Sequence, residues 1–265
     1  MKKPTLLSAI LIFIAWTVLT LYGTQLFSGE KNISLDKLIS THLSVAIILA
    51  AALLTGFVFF YKLSKNTGLQ GGFSLKDKIF IYPITVITLG FILSYLKGLN
   101  VASLGFGLVI INTFFVGISE EMMFRGIILT SLAKRMSFWK SVLIMSLLFG
   151  SVHVLNVFIT GNLSNSILQA FIATFSGFLF LGIRLKTNSI LPAMFIHWLW
   201  DLMVFSYSGT LLTHAARINM KVDFGIFILA ASPFIFGAIG IIQCRNKETQ
   251  VRFMASQQDE YSGLN

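Results

Sequence analysis

The stretch Val101–Leu132, VASLGFGLVIINTFFVGISEEMMFRGIILTSL, combines two properties that seldom occur together. It is apolar and longer than the about 20 residues that a helix needs to cross a bilayer. It also contains Glu120, Glu121 and Arg125. Each such charge costs roughly 2.5 to 3.5 kcal/mol at a bilayer centre, so charges kept in a segment of this kind indicate a function. The stretch predicts a membrane helix that carries a polar reaction centre.

The rest of the chain has the composition of a polytopic membrane protein. Hydrophobic residues occupy 55% of the 265 positions and charged residues 11%, and the mean hydropathy is +0.83. These values exclude most soluble classes. We therefore predict an all-α membrane protein with about eight transmembrane helices. The candidate spans are Thr5–Phe27, His42–Tyr61, Ile79–Leu96, Ser103–Leu132, Phe138–Ile159, Leu163–Ile183, Ile190–Tyr207 and Phe224–Cys244.

The basic residues predict the orientation of these spans. The net charge is +10, but the Lys and Arg side chains fall in the loops rather than along one stripe, which argues against nucleic-acid binding. With eight spans and a cytoplasmic N-terminus, 14 Lys and Arg residues lie on the cytoplasmic side and 5 on the other. This bias follows the positive-inside rule and predicts that both termini are cytoplasmic.

The apolar runs also predict how the chain is organised. Residues 1–100 form the first three spans, 101–207 a core of four spans, 208–244 the last span, and 245–265 a polar, partly disordered cytoplasmic tail. The glycine-rich loop Ser64–Lys78 is predicted to be a flexible linker. The fourth run is too long for one simple span, so we expect it to tilt, or to break and continue along the membrane surface.

Helical spacing separates the roles of the two glutamates. Glu121 and Arg125 are four residues apart, so they share a face on which carboxylate and guanidinium can neutralise each other. Glu120 is turned about 100° away from Glu121, which leaves it available as a general acid or base. The alternative for Glu121 and Arg125 is a buried ion pair that only fixes helix packing.

Two later segments each place a histidine in an i, i+4 pair: Phe149 with His153, and His197 with Asp201. Asp201 can accept the ring N–H of His197 and fix its tautomer, or hold a water beside it. At 1.5 Å per residue, Glu120, His153 and His197 lie roughly 17 to 21 Å of helix from the flanking cytoplasmic basic residues. This common depth predicts a single site. The alternative for each histidine is a buried ring satisfied by one neighbour.

Three motifs, taken in order, resemble those of a known family. They are Glu-Glu-x-x-x-Arg at 120–125, Phe-x-x-x-His at 149–153 and His-x-x-x-Asp at 197–201. They are similar to the motifs of the CPBP family of CAAX-processing and bacteriocin-processing intramembrane proteases, also known as Abi proteins, which includes the type II CAAX prenyl endopeptidases. The lead-in Gly177–Gly182 is similar as well, and the similarity covers 117–201.

The resemblance implies a role for each motif residue. Glu120 is implied as the general base that takes a proton from water, with help from His153. His197 would help to hold that water and, together with Asp201, stabilise the oxyanion of the tetrahedral intermediate. The supporting residues are Glu121, Arg125 and Phe149.

Position 201 departs from the family, in which Asn is frequent. Asn can donate a hydrogen bond to an oxyanion and an ionised Asp cannot, so Asp201 is either protonated or acts by orienting His197. The departure leaves an alternative open, a non-proteolytic membrane protein. Such a protein would act in bacteriocin immunity, in regulation of a membrane partner, or in acyl modification of lipids or lipoproteins.

The leading hypothesis is an intramembrane glutamic endopeptidase in a multi-pass cell membrane protein, placed in a bacterial plasma membrane. Its expected partners are membrane lipids and a peptide or lipidated protein substrate, with no nucleic acid. We expect no cofactor. Zinc held by Glu120, His153 and His197 is the main mechanistic alternative, although the His-Glu-x-x-His signature is absent.

Overall fold

The computed structural model describes residues 5–207, 211 and 224–258. In these ranges the chain is helical and contains no β-strand, which confirms the predicted all-α class. The helices are α1 Leu6–Ser28, α2 Leu35–Thr41, α3 Val45–Phe60, α4 Ile81–Leu96, α5 Leu104–Glu121, α6 Leu129–Ala133, α7 Phe138–Val154, α8 Val157–Thr160, α9 Leu163–Thr187, α10 Leu191–Tyr207, α11 Phe224–Arg245 and α12 Lys247–Gln258. A 3-10 turn, Lys78–Phe80, precedes α4, and a π-helical segment, Met122–Ile128, joins α5 to α6.

Six helical stretches among the described residues are long and apolar enough to cross a membrane, or seven if α2 and α3 together form one span. The expected count of eight is therefore not confirmed. Helix α10 has only 17 residues, shorter than the about 20 of a full span. Helices α2 and α3 meet at 86°, so the predicted span from His42 to Tyr61 is a 16-residue helix with a bent entry.

The fourth apolar run is one helical stretch from Leu104 to Ala133, 30 residues long. It does not break, since α5 passes into the π-helical segment and that segment passes into α6. A π-helical turn widens the helix locally, and such turns occur frequently at functional sites. Here the widened segment begins directly after Glu121.

Helix α9 lies at the centre of the bundle and packs against α7, α10 and α11. Its residues 179–185 are all buried. Glycines permit its closest contacts. A Cβ at Gly240 of α11 would collide with the backbone of Phe178, and one at Gly150 of α7 would lie 2.9 Å from the carbonyl oxygen of Ala170. Small residues allow membrane helices to approach in this way.

The loop predicted to be a flexible linker is instead fixed over its first part. Arg184 is 1% exposed and donates from Nε to the carbonyl of Thr67 at 3.1 Å and from Nη2 to that of Asn66 at 3.0 Å. Gly68 lies directly against the guanidinium and has a φ of +79°. The prediction was wrong there because a buried cation from α9 satisfies the carbonyls of the loop.

The polar tail is also more ordered than expected. Residues Lys247–Gln258 form α12, and Phe253 on this helix is 2% exposed in the core. Arg252 donates from Nη2 to the carbonyls of Leu185 at 2.8 Å and Lys186 at 2.9 Å, near the C-terminal end of α9. The tail therefore covers this end of the bundle as far as 258, and positions 259–265 lie outside the described residues.

Candidate active site

Glu120 occupies the last turn of α5, next to the π-helical segment. Its side chain lines a cavity and is 17% exposed. Among the residues that the structure describes, its Oε2 atom has no hydrogen-bond partner. That atom lies 4.0 Å from Nε2 of His153 and 3.8 Å from Nε2 of His197. The Glu120 carboxylate, which helical spacing predicted to be outside the ion pair, therefore faces both histidines.

Glu121 and Arg125 form the ion pair that their spacing predicted. Both side chains are fully buried, and Nη1 of Arg125 lies 2.9 Å from Oε1 of Glu121. Nη2 of Arg125 donates to the carbonyl of Gly177 at 2.8 Å. The guanidinium lies over the ring of Phe149, 4.0 Å from its centroid, where the face of the ring attracts a cation. The pair thus joins α5, α7 and α9.

His197 is oriented by Glu121 rather than by Asp201. Its Nδ1 lies 2.8 Å from Oε1 of Glu121, and because that carboxylate also receives Arg125, the ring is the donor. The imidazole stacks on Phe180, with 4.4 Å between ring centroids and 14° between planes. The opposite nitrogen, Nε2, lies 3.5 Å from Oδ2 of Asp201. Asp201 is therefore on the cavity side of the ring.

His153 is fixed by its own helix. Its Nδ1 lies 2.8 Å from the carbonyl oxygen of Phe149, and a carbonyl can only accept, so Nδ1 carries the hydrogen. Nε2 is then the atom directed at Glu120. The ring of Phe149 meets the rings of both His153 and His197 edge to face, at centroid distances of 5.2 and 6.2 Å. Phe149 is therefore the apolar wall between the two histidines.

The three motifs meet in one place, as their common depth predicted. Glu120, His153, His197 and Asp201 all line the same cavity. Within the described ranges, no group of three or more His, Cys, Asp or Glu side chains is arranged to hold a metal ion. The expectation of a metal-free site stays a prediction, as do the catalytic roles of the four residues.

The cavity has a volume of about 500 Å³ and a mainly apolar lining. Helix α1 contributes one wall, with Trp16, Thr20 and Leu21 among its lining residues. From Glu120 the cavity extends to Asn156, beyond the C-terminal end of α7, and to Gln169 near the start of α9. It therefore runs from the polar cluster toward one end of the bundle. Ligand sites in proteins are typically clefts of this size, with a mostly apolar lining and a small number of convergent polar groups.

Four residues that support the site were not singled out individually from the sequence. Trp16 donates from Nε1 to Oγ of Ser119 at 2.7 Å, directly beside Glu120. Phe180 stacks on His197, and Gly177 accepts from Arg125. The lead-in Gly177–Gly182 gave a signal for the last two, but nothing in the sequence connects Trp16 with a residue more than a hundred positions later.

A comparison with protein families identifies part of the chain. Residues 101–203 match the family model described as type II CAAX prenyl endopeptidase Rce1-like. This region belongs to the CPBP family. The match covers less than half of the chain and includes all three motifs. The CPBP region begins just before α5 and ends in α10, so α1 lies outside it although Trp16 reaches the site.

Comparisons with curated proteins and with solved structures give no match. The CPBP region and the apolar helices support a multi-pass membrane protein with an endopeptidase-type function. The family also implies peptide or prenylated protein substrates in membranes.

Proposed function

We propose that this protein is an intramembrane endopeptidase in which Glu120 activates the water that hydrolyses the peptide bond. One observation carries the proposal: Oε2 of Glu120 faces Nε2 of both His153 and His197 inside a largely apolar cavity. Separations of 3.8 and 4.0 Å exceed the length of direct hydrogen bonds, so neither ring satisfies this carboxylate oxygen, and all three groups are close enough to contact one common water. A water bound there would contact the base and both rings.

The reaction then needs three actions from these side chains. Glu120 takes a proton from the water as its oxygen attacks the carbonyl carbon of the scissile bond, and later returns a proton to the leaving amine. His153, with its hydrogen fixed on Nδ1, holds the water through Nε2. His197 donates to the oxyanion when its Nε2 is protonated. The carboxylates of Glu121 and Asp201 beside the ring then balance the positive charge of the imidazolium.

The shape and lining of the cavity support a membrane-embedded substrate. The lining is mainly apolar, and the family description names prenyl endopeptidases that act on CAAX sequences. We propose a peptide or lipid-modified protein as the substrate. A farnesylated fluorogenic peptide ending in Cys-aliphatic-aliphatic-X is therefore the first probe, together with a library of apolar peptides.

The test is hydrolysis by purified protein in liposomes, wild type against Glu120→Gln. Gln has nearly the same size but cannot take a proton, so we expect kcat to fall by about 10²- to 10⁴-fold. Glu30→Gln changes an exposed glutamate outside the cavity and should leave kcat unchanged. Thermal unfolding of each variant shows whether the fold is intact.

Retained cleavage in Glu120→Gln would remove the glutamate from its proposed role. Loss of cleavage on treatment with a strong zinc chelator would favour the metal alternative instead. A Glu120→Gln protein that still complements a deletion strain would indicate a non-proteolytic binding function.

A further inference from the structure

The far part of the cavity contains a pair of side-chain amides. Asn156 donates from Nδ2 to Oε1 of Gln169 at 2.8 Å, and both side chains line the cavity. In the part of the chain that the structure describes, this is the only hydrogen bond of either side-chain amide. One acceptor, Oδ1 of Asn156, and one donor group, Nε2 of Gln169, are therefore left for another molecule.

The hydroxyl groups around the same cavity are used differently. Five of them donate to the carbonyl of the residue four positions earlier on their own helix, so their protons are not free for a ligand. These belong to Thr17, Thr20, Thr24, Thr113 and Ser176. The amide pair, in contrast, places an unused donor and an unused acceptor side by side.

A single residue of an extended peptide supplies the complementary groups. Its N–H and C=O lie on the same side of the chain, as they do in the hydrogen-bonded pairs of an antiparallel sheet. The N–H would donate to Oδ1 of Asn156, and the C=O would accept from Nε2 of Gln169. An acyl chain offers neither group, so the pair matches the peptide part of a substrate and not a lipid part.

The distance to the reacting groups can be estimated along the chain. The backbone N–H of Asn156 donates to the carbonyl of His153 at 3.2 Å, so the pair lies one tight helical turn beyond that histidine. A turn of this kind advances roughly 6 Å, which is about two residues of extended peptide.

We propose that Asn156 and Gln169 form a subsite that binds the backbone N–H and C=O of one substrate residue, about two residues from the scissile bond. This inference rests on the proposed endopeptidase function. It places the bound peptide on the side of the cluster that faces away from the helix ends that carry Lys134, Lys140 and Lys186.

The test uses the farnesylated peptide and a set of analogues in which each backbone nitrogen is methylated in turn. In wild type, methylation at one position should raise KM about three- to tenfold, the usual effect of losing one neutral hydrogen bond. Gln169→Glu keeps an acceptor for Asn156 but lacks the donor, and should raise KM for the unmodified peptide by a similar factor without changing kcat. Asn156→Ala should make the enzyme insensitive to methylation at the critical position.

The control variant is Asn165→Ala, which changes an exposed amide on the same helix as Gln169 that does not line the cavity, and should leave KM unchanged. The inference fails if Gln169→Glu has the KM of wild type, or if the methylation penalty persists in Asn156→Ala. A purely structural role would lower the unfolding temperature of Asn156→Ala without altering the response to methylation, and so also overturns it.

Binding separates this inference from the proposed function. Calorimetric titration of the same peptides into the Glu120→Gln protein measures affinity without hydrolysis. Binding that depends on Gln169, in a wild-type protein that does not cleave, would overturn the endopeptidase proposal and leave the subsite standing. If the peptide is cleaved but its affinity is unchanged by Gln169→Glu, only the subsite proposal is overturned.

Discussion

The Oε1 atom of Glu121 accepts hydrogen bonds from side chains of two motifs, Arg125 at 2.9 Å and His197 at 2.8 Å. This glutamate therefore does more than neutralise Arg125, because it also fixes the ring of His197 through Nδ1. Asp201 does not orient the ring. Its Oδ2 atom lies 3.5 Å from the other ring nitrogen, Nε2, on the cavity side. At that position it lies beside the ring nitrogen that the proposed mechanism assigns to the oxyanion.

This geometry leads to a prediction for Asp201→Asn. The amide would supply a hydrogen-bond donor where the carboxylate supplies none, so we expect kcat to rise, by at most about the 10²-fold that one oxyanion donor contributes. The measurement is kcat and KM with the farnesylated peptide at neutral pH.

Asp201→Ala serves as the matched variant, since it removes the carboxylate without adding a donor, and should not exceed the wild-type kcat. If Asp201→Asn is as inactive as Glu120→Gln, the carboxylate itself is required and its role is not that of an oxyanion neighbour.

Among the helices, the approach of α9 to the π-helical segment determines the position of Arg125. The guanidinium fits between the backbone of Gly177 and the ring of Phe149. A Cβ at position 177 would lie 2.7 Å from both Nη2 of Arg125 and Cδ1 of Phe149. Arg125 cannot move freely because it is buried and paired with Glu121. Phe149 is also buried, so it cannot move away either.

We therefore expect Gly177→Ala to displace the guanidinium and the Glu121 carboxylate that orients His197. Overpacking of this kind costs typically about 1 to 3 kcal/mol of unfolding free energy. Cleavage should fall together with stability, as measured by denaturant unfolding in detergent and by peptide hydrolysis.

Gly56→Ala is the control, because Gly56 is also helical and a Cβ there would meet nothing within 4 Å. It should leave cleavage unchanged and stabilise the protein by up to about 1 kcal/mol through helix propensity. Full activity in Gly177→Ala would show that the contact with α9 does not position the site.

At the scale of the whole molecule, the loop after α3 and the helix α12 lie together at one end of the bundle. Arg184 holds the loop at Asn66 and Thr67, and Gln257 of α12 also donates to the carbonyl of Asn66, at 3.4 Å. Arg252 binds the carbonyls at the end of α9. These contacts place the loop after α3 and the helix α12 at the same end of the bundle. That this end is cytoplasmic stays a prediction.

The predicted topology can be tested with single cysteines in a Cys244→Ser background, which removes the chain's one native thiol. Lys31→Cys and Lys65→Cys both replace exposed residues. By the positive-inside rule, an impermeant maleimide should label Lys31→Cys in intact cells and Lys65→Cys only after the membrane is opened. The reverse pattern would show that the orientation in the membrane is opposite to the predicted one. Labelling of both variants in intact cells would contradict the predicted alternation of spans.

Three features could be predicted from the sequence alone: the all-α membrane class, the ion pair of Glu121 with Arg125 and the convergence of three motifs. Each of these follows from short-range regularities. Apolar runs of bilayer length must be helical, because backbone groups have no water to bind within the membrane. Residues four apart on a helix share a face, and equal distances from the flanking loops give equal depth.

The contacts between different helices could not be predicted and are known from the folded structure. Four hydrogen bonds illustrate this, because each joins segments that are separated in sequence. They are Trp16 with Ser119, Glu121 with His197, Arg125 with Gly177, and Asn156 with Gln169. Helical periodicity fixes the face of one helix but not the rotation and distance of its neighbours. Those are set by packing, here by glycines and by buried polar groups that must find partners.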